Sequence, residues 1–154
     1  MLKRLVQTED DIGMLIVRLA LGAVIFPHGA QKLLGWFGGH GYAGTMQFFT
    51  GQLGLPAALA FLVIVAESFG ALALILGFLG RLGAFGVLCV MLGAIFMIHH
   101  QHGFFMNWYG NQQGEGFEYH LLVIGMALAV LIKGSGSLSV DRSLSDKSNR
   151  PIYR

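Results

Sequence analysis

Four stretches of this chain stay apolar for long enough to cross a lipid bilayer, and no other feature narrows its fold so far. They run from about Ile12 to Leu34, from Leu55-Pro56 to Gly77-Phe78, from Leu82 to His99 and from Phe117 to Ile132. A hydrocarbon core about 30 Å thick takes about 20 helical residues to cross. The expected fold class is therefore all-α, an integral membrane four-helix bundle. Composition agrees, with 55% hydrophobic and 12% charged residues and a mean hydropathy of +0.64. Soluble domains carry about 25% charged residues. Glycine, present 23 times, suits helices whose backbones approach closely in lipid. The length allows one membrane domain over residues 1–134, followed by a polar cytoplasmic tail over 135–154.

Local signals place the helix ends. Thr8 or Asp10 is positioned to cap the first span, Pro56 sits at a favourable first-turn position, and Gly80-Arg81 makes a tight turn between the second and third spans. The tail from Gly134 onward, GSGSLSVDRSLSDKSNRPIYR, reads as loop-like. The acidic run Glu9-Asp10-Asp11 ahead of the first span, with no small-residue cleavage site after it, argues against a signal peptide. Lys3, Arg4, Arg81, Lys133, Arg142, Lys147, Arg150 and Arg154 all flank one side of the spans, and the other side has only Lys32. By the positive-inside rule both termini are cytoplasmic. The outer loops then hold Trp36, Trp108, Tyr109 and Tyr119, whose amphipathic rings suit the headgroup level.

Several function classes drop out. A net charge of +2, with basic residues at the ends rather than in a stripe, argues against nucleic-acid binding. Cys89 is the only cysteine, so neither a disulfide framework nor dithiol chemistry is available within the chain. No GxSxG, P-loop or dinucleotide fingerprint occurs; the glycines of GFLGRLG lie between membrane spans.

What remains is the short set of ionisable groups inside the spans: Arg18, His28, Lys32, Glu67, His99, His100, Glu118 and His120. Each costs about 2.5–3.5 kcal/mol to insert and is a functional hypothesis by default. Arg18 lies roughly 9 Å in from the cytoplasmic side and Glu67 roughly 16 Å in from the outer side, which predicts an Arg18–Glu67 pair. That pair would either lock two helices together or floor a polar cavity. Arg18, His28 and Lys32 share one helical stripe, since residues recur on a face every 3.6 positions. Pro27 frees the carbonyl of Ala23 and permits a kink below His28. His28, Lys32, His99, His100 and Glu118 all fall in the outer third, where three helices converge on an expected outward-facing pocket. The blander alternative is snorkelling and solvated span ends. His99, His100 and His102 with Glu118 and His120 match no zinc signature, and no metal is assigned.

At these residues the sequence resembles the DoxX family of small four-helix bacterial membrane proteins. The resemblance lies in RLALG early in the first span, the HGxxKLxG element written here as HGAQKLLG, the glutamate of VAESFGALALILG, and the tail SLSVDRSL. It covers nearly the whole chain in order. It implies a multi-pass protein of the bacterial inner membrane, its partner the lipid bilayer, acting as the membrane subunit of a redox system that exchanges electrons with quinone. The inherited site would be Arg18, His28, Lys32 and Glu67, with Glu67 and His28 as the proton-handling catalytic pair and Arg18 and Lys32 binding the ligand. The convergence of span ends in the outer third adds His99, His100 and Glu118 as expected ligand-binding residues. No haem, flavin or iron–sulfur ligand set is evident, so electrons would come through a soluble redox partner. Two further readings stay open: a non-catalytic membrane anchor for a soluble enzyme, and a small proton-coupled transporter. Homo-oligomerisation is left open as well.

Overall fold

The first long helix starts where a carboxylate can cap it. In the computed structural model, which describes residues 2–148, a short helix α1 (Leu2–Val6) leads to α2 (Ile12–Leu34). The cap is Asp11, one residue beyond the expected Asp10. Its side chain accepts a hydrogen bond from the Met14 amide at 3.1 Å, satisfying one of the four free N–H groups of a helix start. Thr8, the other candidate, instead accepts a hydrogen bond from the Gly136 amide at 2.8 Å. α2 continues through Pro27 and stops at Gly35, whose φ of 76° needs a residue without a side chain.

After α3 (Gly41–Gln47) come α4 (Ala57–Leu76), α5 (Gly80–Met97), α6 (Glu118–Lys133) and α7 (Val140–Ser148). The described residues contain no strand. Three helices, α2, α4 and α5, are long and apolar enough to cross a membrane. α6 has 16 residues, about 24 Å of helix, and packs along α5 and α2. Leu21, Ile25, Leu74, Val87, Val123 and Val130 fill the centre. Ile16, Leu62, Phe69, Phe85 and Leu122 face outward and are largely exposed. A helix apolar on every side is what lipid solvates well.

Small residues set the helix register. A Cβ on Gly29 would lie 2.5 Å from the carbonyl oxygen of Glu67, and one on Gly22 would lie 3.1 Å from that of Ala71. The Ser68 hydroxyl donates to the Gly29 carbonyl at 3.1 Å across this contact. α2 and α4 run antiparallel, so Glu67 is level with Gly29. Gly29 is eleven residues, about 16 Å of helix, from Arg18.

The expected Arg18–Glu67 pair is therefore corrected. Side chains tilt toward the N-terminus of their own helix. In antiparallel α2 and α4 that tilt carries the Arg18 and Glu67 side chains apart, and carries Lys32 inward. Arg18 is 1% exposed and reaches the end of the bundle where the C-terminal segment folds back. Its guanidinium donates to the carbonyls of Leu74 (2.7 Å), Ile75 (2.6 Å), Ser135 (2.9 Å), Ser137 and Leu138 (both 3.3 Å). Leu74 and Ile75 belong to the last turn of α4, whose carbonyls have no partner inside the helix.

The segment read as a loop-like tail is largely ordered by the same network. Asp141, 1% exposed, accepts from the amides of Leu79 (2.8 Å) and Gly80 (3.0 Å) at the start of α5 and from the Ser135 hydroxyl (2.6 Å). Ser135, Ser137 and Ser139 are buried beneath it. Gly77, at φ 63°, lies so close to Ser139 and the Arg18 guanidinium that no side chain would fit. Arg81 does for α6 what Arg18 does for α4, donating to the carbonyls of Leu131 (2.9 Å) and Ile132 (3.1 Å), and it also reaches Arg4 and Gln7. Arg150 and Arg154 lie outside the described residues.

Arg18→Met should therefore cost on the order of 3–5 kcal/mol, because three buried carbonyls (Leu74, Ser135 and Ser137) and two part-buried ones (Ile75 and Leu138) lose a charged donor. Combined with Glu67→Gln the two losses should add within about 0.5 kcal/mol, as expected for sites that share no partner. Unfolding in detergent micelles measures both; strong coupling between them would restore the discarded pair.

Candidate functional site

α4 and α5 touch where small residues face each other. A Cβ on Gly83 would meet the Gly70 carbonyl at 2.8 Å, and one on Gly86 would meet the Ala66 side chain at 3.0 Å. Two turns further along α5, a Cβ on Gly93 would meet nothing within 4 Å. The helices thus touch at Gly70 and Gly83 and leave open space at Gly93. The space between them is part of a cavity of about 1360 Å³. Its walls are apolar, from Leu59, Leu62 and Val63 on α4 to Val90, Ala94 and Met97 on α5. Leu59 and Leu62 are half exposed to the outside, so the cavity opens sideways, where lipid tails would lie.

Part of its lining is polar, while the lining further along α4 and at the start of α5 (Leu76, Phe78, Leu82) is apolar again. Glu67, 4% exposed, forms an ion pair with Lys32. Lys32 is one turn beyond His28 on α2, and both line the cavity. From α6 come Tyr119 and His120. The Tyr119 ring lies 6.4 Å from the His28 ring. His120 packs against His99 with ring centroids 4.1 Å apart. The Tyr119 hydroxyl and His120 Nδ1 are buried and have no hydrogen-bond partner. A buried polar atom without a partner costs about 1–3 kcal/mol, which a ligand offering the complementary atom would recover.

The connection from α5 to α6 positions these rings. Its start is a 3-10 turn, His99–His102, and its end is clamped by the Phe117 and Glu118 amides donating to the carbonyls of Gly103 (3.2 Å) and Phe104 (2.9 Å). Glu118 accepts from the Met106 amide at 2.9 Å and from the Trp108 indole at 3.4 Å. Glu115 accepts from the Asn107 amide at 2.7 Å. His99 Nδ1 lies 2.8 Å from the Glu115 carbonyl; a carbonyl only accepts, so Nδ1 carries the proton there.

Of the residues singled out from sequence, the cavity brings together His28, Lys32, Glu67 and His99. Arg18 is at the opposite end of α2, satisfying carbonyls. His100 is exposed, one residue past His99 on a tight turn, and does not line the cavity. Glu118 points into the loop as a strut. Among the described residues, no three His, Cys, Asp or Glu side chains converge to hold a metal ion. Tyr119 and His120 were missed as site residues. A signal existed for the histidine: His120, Val123, Ala127 and Val130 form the buried stripe of α6, so His120 shares a face with the core.

The ion pair makes a direct prediction. Lys32→Met leaves the Glu67 carboxylate buried without its cation and should destabilise the protein by on the order of 3–5 kcal/mol. Lys32→Met with Glu67→Gln should recover most of that loss in the same unfolding assay. Two single losses that simply add would show that the pair carries no coupling.

The chain matches the profile of the DoxX family over residues 13–100. It is 30% identical over 138 residues to "Inner membrane protein YqjF" of Escherichia coli (strain K12), covering 90% of this chain and 96% of that protein. It is also 30% identical over 131 residues to "Putative oxidoreductase CatD" of Bacillus subtilis (strain 168), covering 85% and 86% respectively. No solved structure matches at a significant level. With this likeness running almost end to end and three helices fit to cross a bilayer, the chain is a multi-pass inner-membrane protein and belongs to the DoxX family.

Proposed function

We propose that the protein is a quinone-binding membrane subunit of a redox system, a four-helix bundle whose fourth span is α6 and whose termini are both cytoplasmic. The observation that carries this reading is the sideways-opening apolar cavity whose wall holds an ion pair and two unpartnered polar atoms. A lipid-soluble ligand with an apolar tail and a compact polar head fits such a shape. The printed name of the Bacillus subtilis relative, an oxidoreductase, agrees with it. Orientation rests on charge: Lys3, Arg4, Arg81, Lys133 and Arg142 gather at the end opposite the cavity's polar groups, as cytoplasmic residues do.

When bound, a quinone supplies two-electron, two-proton chemistry. The polar residues of the lining would act on its oxygens. Lys32, His28 and the Tyr119 hydroxyl are hydrogen-bond donors to a carbonyl oxygen. Glu67 is the carboxylate that takes or returns a proton, and His120 Nδ1 is a second proton site. The surrounding apolar wall keeps water from competing for these contacts. The two electrons enter from, or leave to, a soluble redox protein carrying a flavin, haem or iron–sulfur centre, because a chain with one cysteine has no cluster ligand set of its own.

Mass spectrometry of lipid extracts from the purified protein should find quinone retained in stoichiometric amounts. His28→Gln and Lys32→Arg should reduce retention about tenfold or more with little change in expression, since arginine's planar fork cannot replace an ammonium in a fitted site. Equal retention by parent and both variants, at trace level, would instead favour a plain membrane anchor. A reporter fused after Arg154 should be active in the cytoplasm; periplasmic activity there would reverse the orientation.

A further inference from the structure

Beside the membrane cavity lies a smaller one, a cleft of about 260 Å³ at the end of α2 where the chain leads into α3. Its polar lining is Gln31, Lys32, His40 and Thr45. We propose that this cleft is a binding site for a phosphate group, and that Lys32 is shared between it and the membrane cavity. The cleft is separate from the quinone site, and its ligand does not depend on that reading.

The four side chains are an ammonium, an imidazole, a hydroxyl and a carboxamide, and no carboxylate is among the lining residues. Each can donate a hydrogen bond, the imidazole in either protonation state. Thr45 is 6% exposed, yet among the described residues its hydroxyl has no partner. Thr50, in the following turn, shows the ordinary arrangement, its hydroxyl donating to the Met46 carbonyl at 2.8 Å. Gly39, also in the lining, packs so tightly on α2 that no side chain would fit between it and the Gln31 carbonyl. That wall is therefore bare backbone, which lets the chain approach a small ligand closely. The Gln31 amide donates to the Phe37 carbonyl at 3.2 Å, holding the turn in place, and keeps a second N–H. Phe48–Gln52, on the far side, form a π-helical turn, a rare geometry found often at functional sites.

Size and charge both suit the ligand. A water molecule takes about 30 Å³ of liquid, so the cleft has room for a tetrahedral anion with part of its hydration. Lysine meets phosphate as a point charge, whereas a planar carboxylate is better matched by the fork of arginine. Lys32 lines both cavities, and its side chain is 23% exposed against 5% for Glu67, its ion-pair partner. Of the pair, the cation is the member that a ligand from outside can reach. A phosphate in the cleft and the Glu67 carboxylate then draw on one ammonium, and each weakens the other's hold on it.

The test is isothermal titration calorimetry on the full chain in a maltoside detergent, which brings no phosphate of its own. Inorganic phosphate should give saturable heat, and chloride at matched ionic strength should give none. Thr45→Val and His40→Phe should each weaken binding about tenfold, the scale of one hydrogen bond to a charged group. Lys32→Met combined with Glu67→Gln, which removes both charges of the ion pair together, should abolish it. Thermal unfolding beside each titration shows which variants are folded, and His40→Phe, at an exposed position, serves if Thr45→Val is not. A monomeric short-chain phosphatidylglycerol separates the two sources of the group: tighter binding than inorganic phosphate assigns a lipid headgroup, and weaker binding a free phosphate. No saturable phosphate heat in the parent, equal heat with chloride, or full affinity in the folded cleft variants would each overturn the site. Quinone retention is measured separately: its absence beside phosphate binding would remove the quinone reading and leave the cleft site standing.

Discussion

Arg18 is the residue on which the arrangement rests. In lipid no water is available to the last carbonyls of a helix, and a buried guanidinium has five N–H donors and no other use for them. Arg18 brings the end of α4 and the Ser135–Leu138 segment to one cation. Arg81 closes the end of α6 in the same way, and Asp141 closes the start of α5 with the opposite charge. Each sign matches the helix end that it meets, negative at N–H groups and positive at carbonyls. One end of the bundle is thereby tied through buried polar contacts, and the C-terminal segment is part of the tie.

Elsewhere the bundle can then hold a cavity. Close contacts at Gly22 and Gly29 hold α2 to α4, and Gly70 with Gly83 holds α4 to α5. The space between α4 and α5 is open at Gly93, and the ion pair, His28, His99, His120 and Tyr119 line the same cavity. Small residues and large ones thus divide the work: glycine brings backbones together at the contacts, and leucine, valine and methionine line the space between α4 and α5. The position of Glu67, one turn from Gly70, follows from that division. Its carboxylate is close enough to the helix contact to be buried and far enough from it to face the cavity.

Much of the fold was legible. The all-helical class, the approximate ends of the long helices, the apolar exterior and the inward stripe carrying His28 and Lys32 follow from hydropathy and the 3.6-residue period. Of the four expected spans, α2, α4 and α5 are long and apolar enough to cross a membrane. Asp11 rather than Asp10 as the cap is an error of one residue, within what backbone geometry alone decides. The site was half legible. His28, Lys32, Glu67 and His99 line the cavity, while Arg18, His100 and Glu118 serve elsewhere. The Arg18–Glu67 error has a specific origin: counting rise from span ends placed the two residues near one level, but the Gly29–Glu67 contact sets the register about two turns differently. The polar tail was misread for a related cause. Its serines and Asp141 look solvent-seeking until the unpaired helix ends they cover are known.

The sequence by itself determined that this chain lies in a membrane, that Arg18, Lys32 and Glu67 fall within its apolar stretches, and that His28 and Lys32 share a helix face. Those are properties of one helix in one solvent, and composition and periodicity carry them. Which buried charge meets which partner was decided only by the tertiary structure. Partner choice depends on the register between antiparallel helices and on the direction in which each Cα–Cβ bond tilts. That register is set by where glycine lets two backbones touch, a contact between residues 38 positions apart in the case of Gly29 and Glu67. It gave Glu67 to Lys32 and left Arg18 free to close the far end of the bundle.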